Sequence, residues 1–199
     1  MDLLELITVG VSVFVVTDID DLVVLAAFFA DRRVAASSVV IGQFLGIGAL
    51  TVVSVTAALL ALVVPPGWTS LLGLIPILLG VRGLLRLASG RSGDDEEEVK
   101  RVPADEGAET QILAVALTTI ANGGDNLGVY IPLFATRFHD VPGLVLVFAL
   151  MTALWCGLGY ALARNLLFGH YVQRWGHILL PFVLIGIGLH ILQGSRVLL

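Results

Sequence analysis

Six stretches of this sequence are long and apolar enough to cross a bilayer, and two of them carry acids near their centres. A spanning helix needs roughly 20 predominantly apolar residues. Such stretches run from about Leu3 to Ala30, Val34 to Val64, Trp68 to Ala88, Gln111 to Ala135, Gly143 to Leu166 and Trp175 to Gln193. The expected fold is therefore an all-α membrane protein of about six transmembrane helices. Composition agrees: 57% of residues are hydrophobic and 14% charged, whereas a soluble domain carries about 25% charged residues. Pro65, Pro66 and Gly67 close the second stretch, because proline cannot continue a helix. That stretch is long enough to require tilt or a break.

Charge is confined as a spanning protein requires. The net charge of −5 comes largely from Ser89–Gln111, with eight acids and three bases. Nothing resembles a basic nucleic-acid surface. The start, with Met1, Asp2 and Glu5, lacks the basic n-region of a signal peptide. The single cysteine, Cys156, excludes an intramolecular disulfide and any multi-cysteine metal site. Arg32, Arg33, Arg82, Arg86, Arg91, Lys100, Arg101, Arg164 and Arg174 fall at one set of loops, and Arg137 and Arg196 at the other. By the positive-inside rule the first set is cytoplasmic, which puts both termini outside and the acidic loop inside.

The chain also repeats itself. Asp20-Asp21-Leu22 aligns with Asp125-Asn126-Leu127 at an offset of 105 residues. At that offset Val24 meets Val129, Phe29-Ala30 meets Phe134-Ala135, Arg32 meets Arg137, and Leu74-Ile75-Pro76 meets Leu179-Leu180-Pro181. Three spans per repeat is an odd number, so the halves are expected to have inverted topology, as in many secondary transporters. The organisation expected is a first three-helix repeat over 1–88, an acidic cytoplasmic loop over 89–110 and a second three-helix repeat over 111–199.

The acids carry the chemistry. Asp18, Asp20 and Asp21 lie in the first stretch and Asp125 in the fourth. At 1.5 Å per residue, Asp20 is about 25 Å from Leu3 and Asp125 about 20 Å from Gln111, both near the bilayer centre. Four intramembrane aspartates cost on the order of 10 kcal/mol even on the lenient insertion scale. On an unbroken helix Asp18 and Asp21 share a face while Asp20 points elsewhere. Either the helix unwinds there or the acids serve different neighbours. Asn122-Gly123-Gly124-Asp125-Asn126 shows the same need, since paired glycines weaken a helix interior. Unwound carbonyls, carboxylates and amide oxygens are hard ligands for a cation. The expected cation site uses Asp20, Asp21, Asp125 and Asn126, with Asp18, Asn122, Thr17 and Gln43 as supplements. Buried carboxylates can also be protonated helix contacts, but two matched clusters favour an ion. Thr51, Ser54 and Thr56 suit helix contacts, and Cys156, His139, His170 and His177 suit structural roles. His190 suits either a ligand or a structural role.

TDIDDLVVL and ANGGDNLGVYIPLF resemble the cadmium-resistance transporter family, within the broader lysine-exporter superfamily, and the resemblance covers essentially the whole chain. It implies export of cadmium, with zinc or other divalent metals, across a bacterial cytoplasmic membrane. The family pattern often has asparagine at the position of Asp18. Cadmium is soft and favours thiolates, whereas these oxygen ligands suit manganese, calcium or magnesium as well. No G-x-x-x-x-G-K-[ST] loop is present, so ATP hydrolysis within this chain is not expected. Carboxylates crowded together resist simultaneous ionisation, so metal and proton can compete for one site, and metal–proton antiport is expected. No cofactor is expected beyond the transported metal, and no nucleic acid; the sequence is compatible with a homodimer. The alternative is an exporter of amino acids or other small organic cations. An enzyme is not expected: Gly124-Asp125 faintly resembles the G-x-G-D motif of intramembrane aspartyl proteases, but Asn122 replaces the first glycine.

Overall fold

The computed structural model describes residues 2–61, 72, 74–88, 107–164, 181–182, 184–189 and 192 (86 and 87 by backbone alone), and among these the regular structure is helical, with no strand. The acidic loop, His170, His177, His190 and most of the sixth stretch lie outside the described residues. The first stretch forms two helices, α1 (Leu3–Thr17) and α2 (Ile19–Ala30), interrupted at Asp18 alone. The second forms α3 (Ala36–Ala61) and the third α4 (Leu74–Ala88). The fourth is again split, into α5 (Ala108–Asn122) and α6 (Gly124–Thr136), interrupted at Gly123 alone. A 3-10 turn at Phe138–Asp140 leads into α7 (Val141–Ala163).

Local chemistry accounts for these ends. The Asp2 carboxylate accepts the Glu5 N–H at 2.8 Å and caps α1, satisfying one of the helix's orphan donors. Pro142 sits in the first turn of α7, where its missing N–H is no loss. α3 and the run Phe138–Ala163 each have 26 residues, with hydropathies of 2.2 and 2.1. At 1.5 Å per residue either is about 39 Å long, enough for a hydrocarbon core of about 30 Å. α1 and α2, of 15 and 12 residues, are each too short alone but reach about 40 Å together. Leu45, Val52 and Leu60 on α3 and Leu146 and Leu150 on α7 are exposed, as a surface in contact with lipid tails requires.

The helix starts keep the spacing found in the sequence. α1 and α5 begin at 3 and 108, α2 and α6 at 19 and 124, and α3 and α7 at 36 and 141. Each long helix packs on the broken pair of the other half: α3 on α5 and α6, α7 on α1 and α2, and α3 on α7. Gly42 faces Val115 and Gly46 faces Thr119, where a Cβ would lie 2.6 Å from each neighbour. Only glycine permits that approach. Leu50 then meets Gly123. These contacts climb together in residue number, so α3 and α5 run in the same direction. Leu6 meets Gly143, Gly10 meets Val147 and Asp18 meets Trp155, so α1 and α7 also run in the same direction.

Two polar closures mark opposite ends of this bundle. At one end Arg137 pairs with Glu5 at 2.9 Å. At the other, Gln111 accepts from the Ala35 N–H and donates to the Arg33 carbonyl, both at 3.0 Å. Arg33 also pairs there with Asp31 at 2.7 Å. Hydrogen bonds from the Arg33 side chain and backbone hold the Asp31 carboxyl down at about 2.

Candidate cation site

The two breaks bring the acids to the middle of the bundle. Asp18 leaves helical geometry at φ −112°, ψ 16°, and Gly123 does so at φ −74°, ψ 20°. Each break is followed by a new helix whose first turn holds an acid: Asp20 and Asp21 in α2, Asp125 in α6. The open N–H groups of a helix start receive carboxylates. Accordingly Asp20 Oδ1 accepts the Asp21 N–H at 2.9 Å and Asp125 Oδ1 accepts the Asn126 N–H at 3.0 Å. These are the same local bond 105 residues apart.

Both alternatives posed by the three-aspartate run hold: the helix breaks, and the acids part. Asp18 is fully buried and turns toward the second half. Its Oδ1 accepts from Asn126 Nδ2 at 2.8 Å, and its Oδ2 accepts from the Tyr130 hydroxyl at 2.8 Å. Thr17 Oγ1 lies 3.0 Å from the same Oδ2. The Asp18 backbone carbonyl accepts the indole Nε1–H of Trp155. Asp21 turns instead toward the Arg33 end. Its Oδ2 accepts from Gln43 Nε2 at 2.9 Å and its Oδ1 from Asn122 Nδ2 at 3.4 Å. Gln43 is oriented by the Thr119 hydroxyl, which donates to its Oε1 at 2.6 Å.

Asp125 differs from both. Its Oδ2 is buried and has no hydrogen-bond partner, while its charged neighbours are Asp20 and Asp18. A buried acceptor without a donor is costly and uncommon in folded proteins. Among the described residues, no three His, Cys, Asp or Glu side chains close to metal-ligating spacing. The structure thus gathers all eight expected residues at the breaks or beside them, but it binds Asp18, Asp21, Asn126 and Gln43 into protein hydrogen bonds. Cys156 is buried in α7 and His139 is exposed at the Glu5 end.

Three residues of this centre were not among those expected: Tyr130, Thr119 and Trp155. Tyr130 stands four residues after Asn126 and Thr119 three before Asn122, so helical spacing to a marked residue was a usable signal for both. Trp155 carried no such mark.

Broken helices with carboxylates at the breaks, inside a bundle faced with apolar side chains, are an arrangement of membrane transporters. The sequence model of the cadmium resistance transporter family matches residues 14–198, and the chain belongs to that family. No curated protein and no solved structure matches the chain.

Proposed function

We propose that this protein exports a divalent cation, cadmium first among candidates and zinc as a second, across a bacterial cytoplasmic membrane by proton antiport. The cation is held between Asp20 and Asp125. The observation that carries this reading is the Asp125 Oδ2 atom, buried without a donor beside the Asp20 carboxylate. A metal ion is a partner that both carboxylates can accept at once. Asp18 and Asp21 flank the ion as positioned carboxylates, because neutral donors already occupy their oxygens. The Asn126 amide turns its nitrogen to Asp18, which leaves its oxygen directed away from that acid as a further ligand. Carbonyls at the two breaks complete the shell.

The architecture we assign is six spans in two inverted three-helix repeats. Its support is the common 105-residue spacing of the helix starts and the same-direction pairing of α3 with α5 and of α7 with α1. Helices that follow one another across a short turn run in opposite directions, so parallel pairing between halves is what inversion produces. The arginine distribution assigns the Arg33 end to the cytoplasm and both termini to the outside. Moving a divalent cation out of a negative interior is uphill by about 2.3 kcal/mol per charge per 100 mV, which requires a coupling ion.

Liposomes containing the purified protein test this directly. Cadmium flux is expected, with loss to background in Asp20→Ala and in Asp125→Ala. Flux of manganese without cadmium keeps the site and changes the metal. Absence of metal flux from inserted, folded protein removes the cation reading and favours an organic substrate. Uphill flux that persists after the pH gradient is collapsed removes proton coupling.

A further inference from the structure

The two sides of the cation site are closed by unlike materials at equivalent positions. On the Glu5 side of the breaks, Phe148 is the centre of an aromatic stack. Its ring centroid lies 4.5 Å from Tyr130, 5.7 Å from Phe14 and 5.9 Å from Phe134. Phe14 in turn meets Trp155 edge-on at 5.5 Å. Phe14, Tyr130, Phe134 and Phe148 are all buried to within 1% of full. On the Arg33 side two of the residues at the same repeat positions are polar, while Leu25 and Phe29 stand opposite Tyr130 and Phe134. Gln43 is the counterpart of Phe148, and Thr119 is the counterpart of Phe14, each displaced by 105 residues. In place of stacked rings stands the chain Thr119–Gln43–Asp21, joined by hydrogen bonds of 2.6 and 2.9 Å.

We propose that the stack centred on Phe148 is the dry barrier between the cation site and the Glu5 end, and that the Thr119–Gln43–Asp21 chain is a hydrogen-bonded clasp through which the site opens to the Arg33 end. The physical distinction is what must be replaced on opening. Water entering the clasp can restore each hydrogen bond it breaks, donor for acceptor. Water entering between Phe14, Phe134 and Phe148 finds apolar ring faces and restores nothing there, the Tyr130 hydroxyl being turned away to Asp18, so separating the rings exposes apolar surface without compensation. A hydrated cation meets the same difference. The clasp offers oxygen and amide groups in place of hydration, whereas the stack offers a constriction that excludes water and ion together. The polar side therefore yields first, and the aromatic side holds until the long helices move against the broken ones.

This inference goes beyond the metal reading and is tested without any metal. In a Cys156→Ser background, Thr119→Cys places one thiol in the clasp, where its S–H keeps a weak donor toward Gln43, and a membrane-impermeant charged methanethiosulfonate is applied to sealed vesicles. Arg32→Cys and His139→Cys, at exposed positions of the two ends, report which end faces the reagent. The cysteine at position 119 is expected to react only from the Arg33 end. Adding Phe148→Ala is expected to raise its labelling from the Glu5 end from none to a rate comparable with the Arg33-end rate. The proposal is overturned if the thiol reacts from both ends with Phe148 in place, or from neither. It is also overturned if Phe148→Ala keeps the Arg33-end labelling, and hence the fold, yet stays closed at the Glu5 end. Should Phe148→Ala lose Arg33-end labelling, Phe14→Ala removes another ring of the stack and the same readings decide. Metal flux could fail in every variant and leave this result standing, so the two ideas fail separately.

Discussion

At Asp18 the chain interrupts a helix with a residue whose side chain is wholly buried. At Gly123, 105 residues on, it interrupts the equivalent helix with a residue that has no room for a side chain. A Cβ on Gly123 would lie 2.2 Å from the Leu50 side chain. The residue equivalent to Leu50 in the other half is Trp155, which does not crowd Asp18 but donates its indole N–H to the Asp18 carbonyl. The Gly123 carbonyl instead accepts the Leu127 N–H at 3.0 Å, resuming the helix ladder. So the repeat preserves the break and the acid two residues beyond it, Asp20 and Asp125, while the residue at the break and its partner on the long helix diverge. The shared features are those the proposed cation site would take from each half. The divergent ones decide how the halves are fastened: the first break sends a carboxylate across to Asn126 and Tyr130, and the second admits an apolar plug.

The largest test of this contrast removes the fastening. Asp18→Ala removes the acceptor of the Asn126 Nδ2 and Tyr130 hydroxyl donors and leaves them only longer contacts, 3.4 Å with each other and 3.5 Å from Tyr130 to Thr17, at about 1–3 kcal/mol for each. A loss of roughly 2–6 kcal/mol is expected on that basis, read as a fall in thermal midpoint in detergent. A variant as stable as the parent would mean the two halves are not held together through Asp18. Asp18→Asn, which keeps the volume but exchanges one acceptor for a donor, is expected to fall between.

The second test makes the other break resemble the first. Gly123→Ala forces a methyl group into Leu50 and is expected to destabilise by about 1–3 kcal/mol, the usual range for overpacking. Leu50→Ala opens that space, so the double variant should be less destabilised than the sum of the single ones, and a double-mutant cycle measures the coupling. Additive effects would show that Leu50 does not fill the space beside Gly123.

A third, smaller effect concerns the partner on the long helix. Trp155→Phe keeps an aromatic ring beside Phe14 but deletes the donor to the Asp18 carbonyl. The expected loss is that of one intramembrane hydrogen bond, about 0.6–1.7 kcal/mol. Leu50→Phe, at the equivalent place, removes no hydrogen bond and tests whether the polar role belongs to the first break alone.

How much of this was legible before the structure depends on what each residue violates. An aspartate in an apolar stretch breaks the pattern, and so does a glycine pair, so Asp20, Asp125 and Gly123-Gly124 marked both the 105-residue offset and the place where the helices part. Helix starts at 3 and 108, 19 and 124, and 36 and 141 follow the offset read from three residues around Asp20. Tyr130 and Thr119 violate nothing, since the helix backbone can satisfy a threonine hydroxyl and a tyrosine is mostly apolar ring with one polar tip. Their partners lie 112 and 76 residues away. Those meetings depend on α3 and α7 lying alongside the broken helices of the opposite half, which hangs on the close approach at Gly42 and Gly46. Glycines at that spacing have many uses, and the sequence does not say which helix they admit. The division of the acids was hidden for the same reason. Asp18 and Asp21 share a helical face on paper, and only the break at Asp18 sends one to Tyr130 and the other to Gln43.

The finest distinction between the two sides rests on one hydroxyl. Gln43 serves Asp21 only in the orientation that turns its Nε2 toward the carboxylate, and an amide has two orientations of nearly equal shape. The Thr119 hydroxyl selects between them by donating to Oε1 at 2.6 Å. Thr119→Val keeps the shape and removes the donor. The direct loss is one buried hydrogen bond, about 0.6 kcal/mol on the average for membrane helices, so stability should change little. The amide is then free to present its oxygen to Asp21, and a carboxylate facing an amide oxygen is repelled rather than held. Thr119→Val should therefore weaken metal transport more than its small effect on thermal stability suggests, while Thr119→Ser, which retains the donor, should transport as the parent does. Equal transport by Val and Ser at position 119 would mean that Asp21 is held by Asn122 and helix contacts alone. The polar side would then owe nothing to the hydroxyl that sets it apart from Phe14.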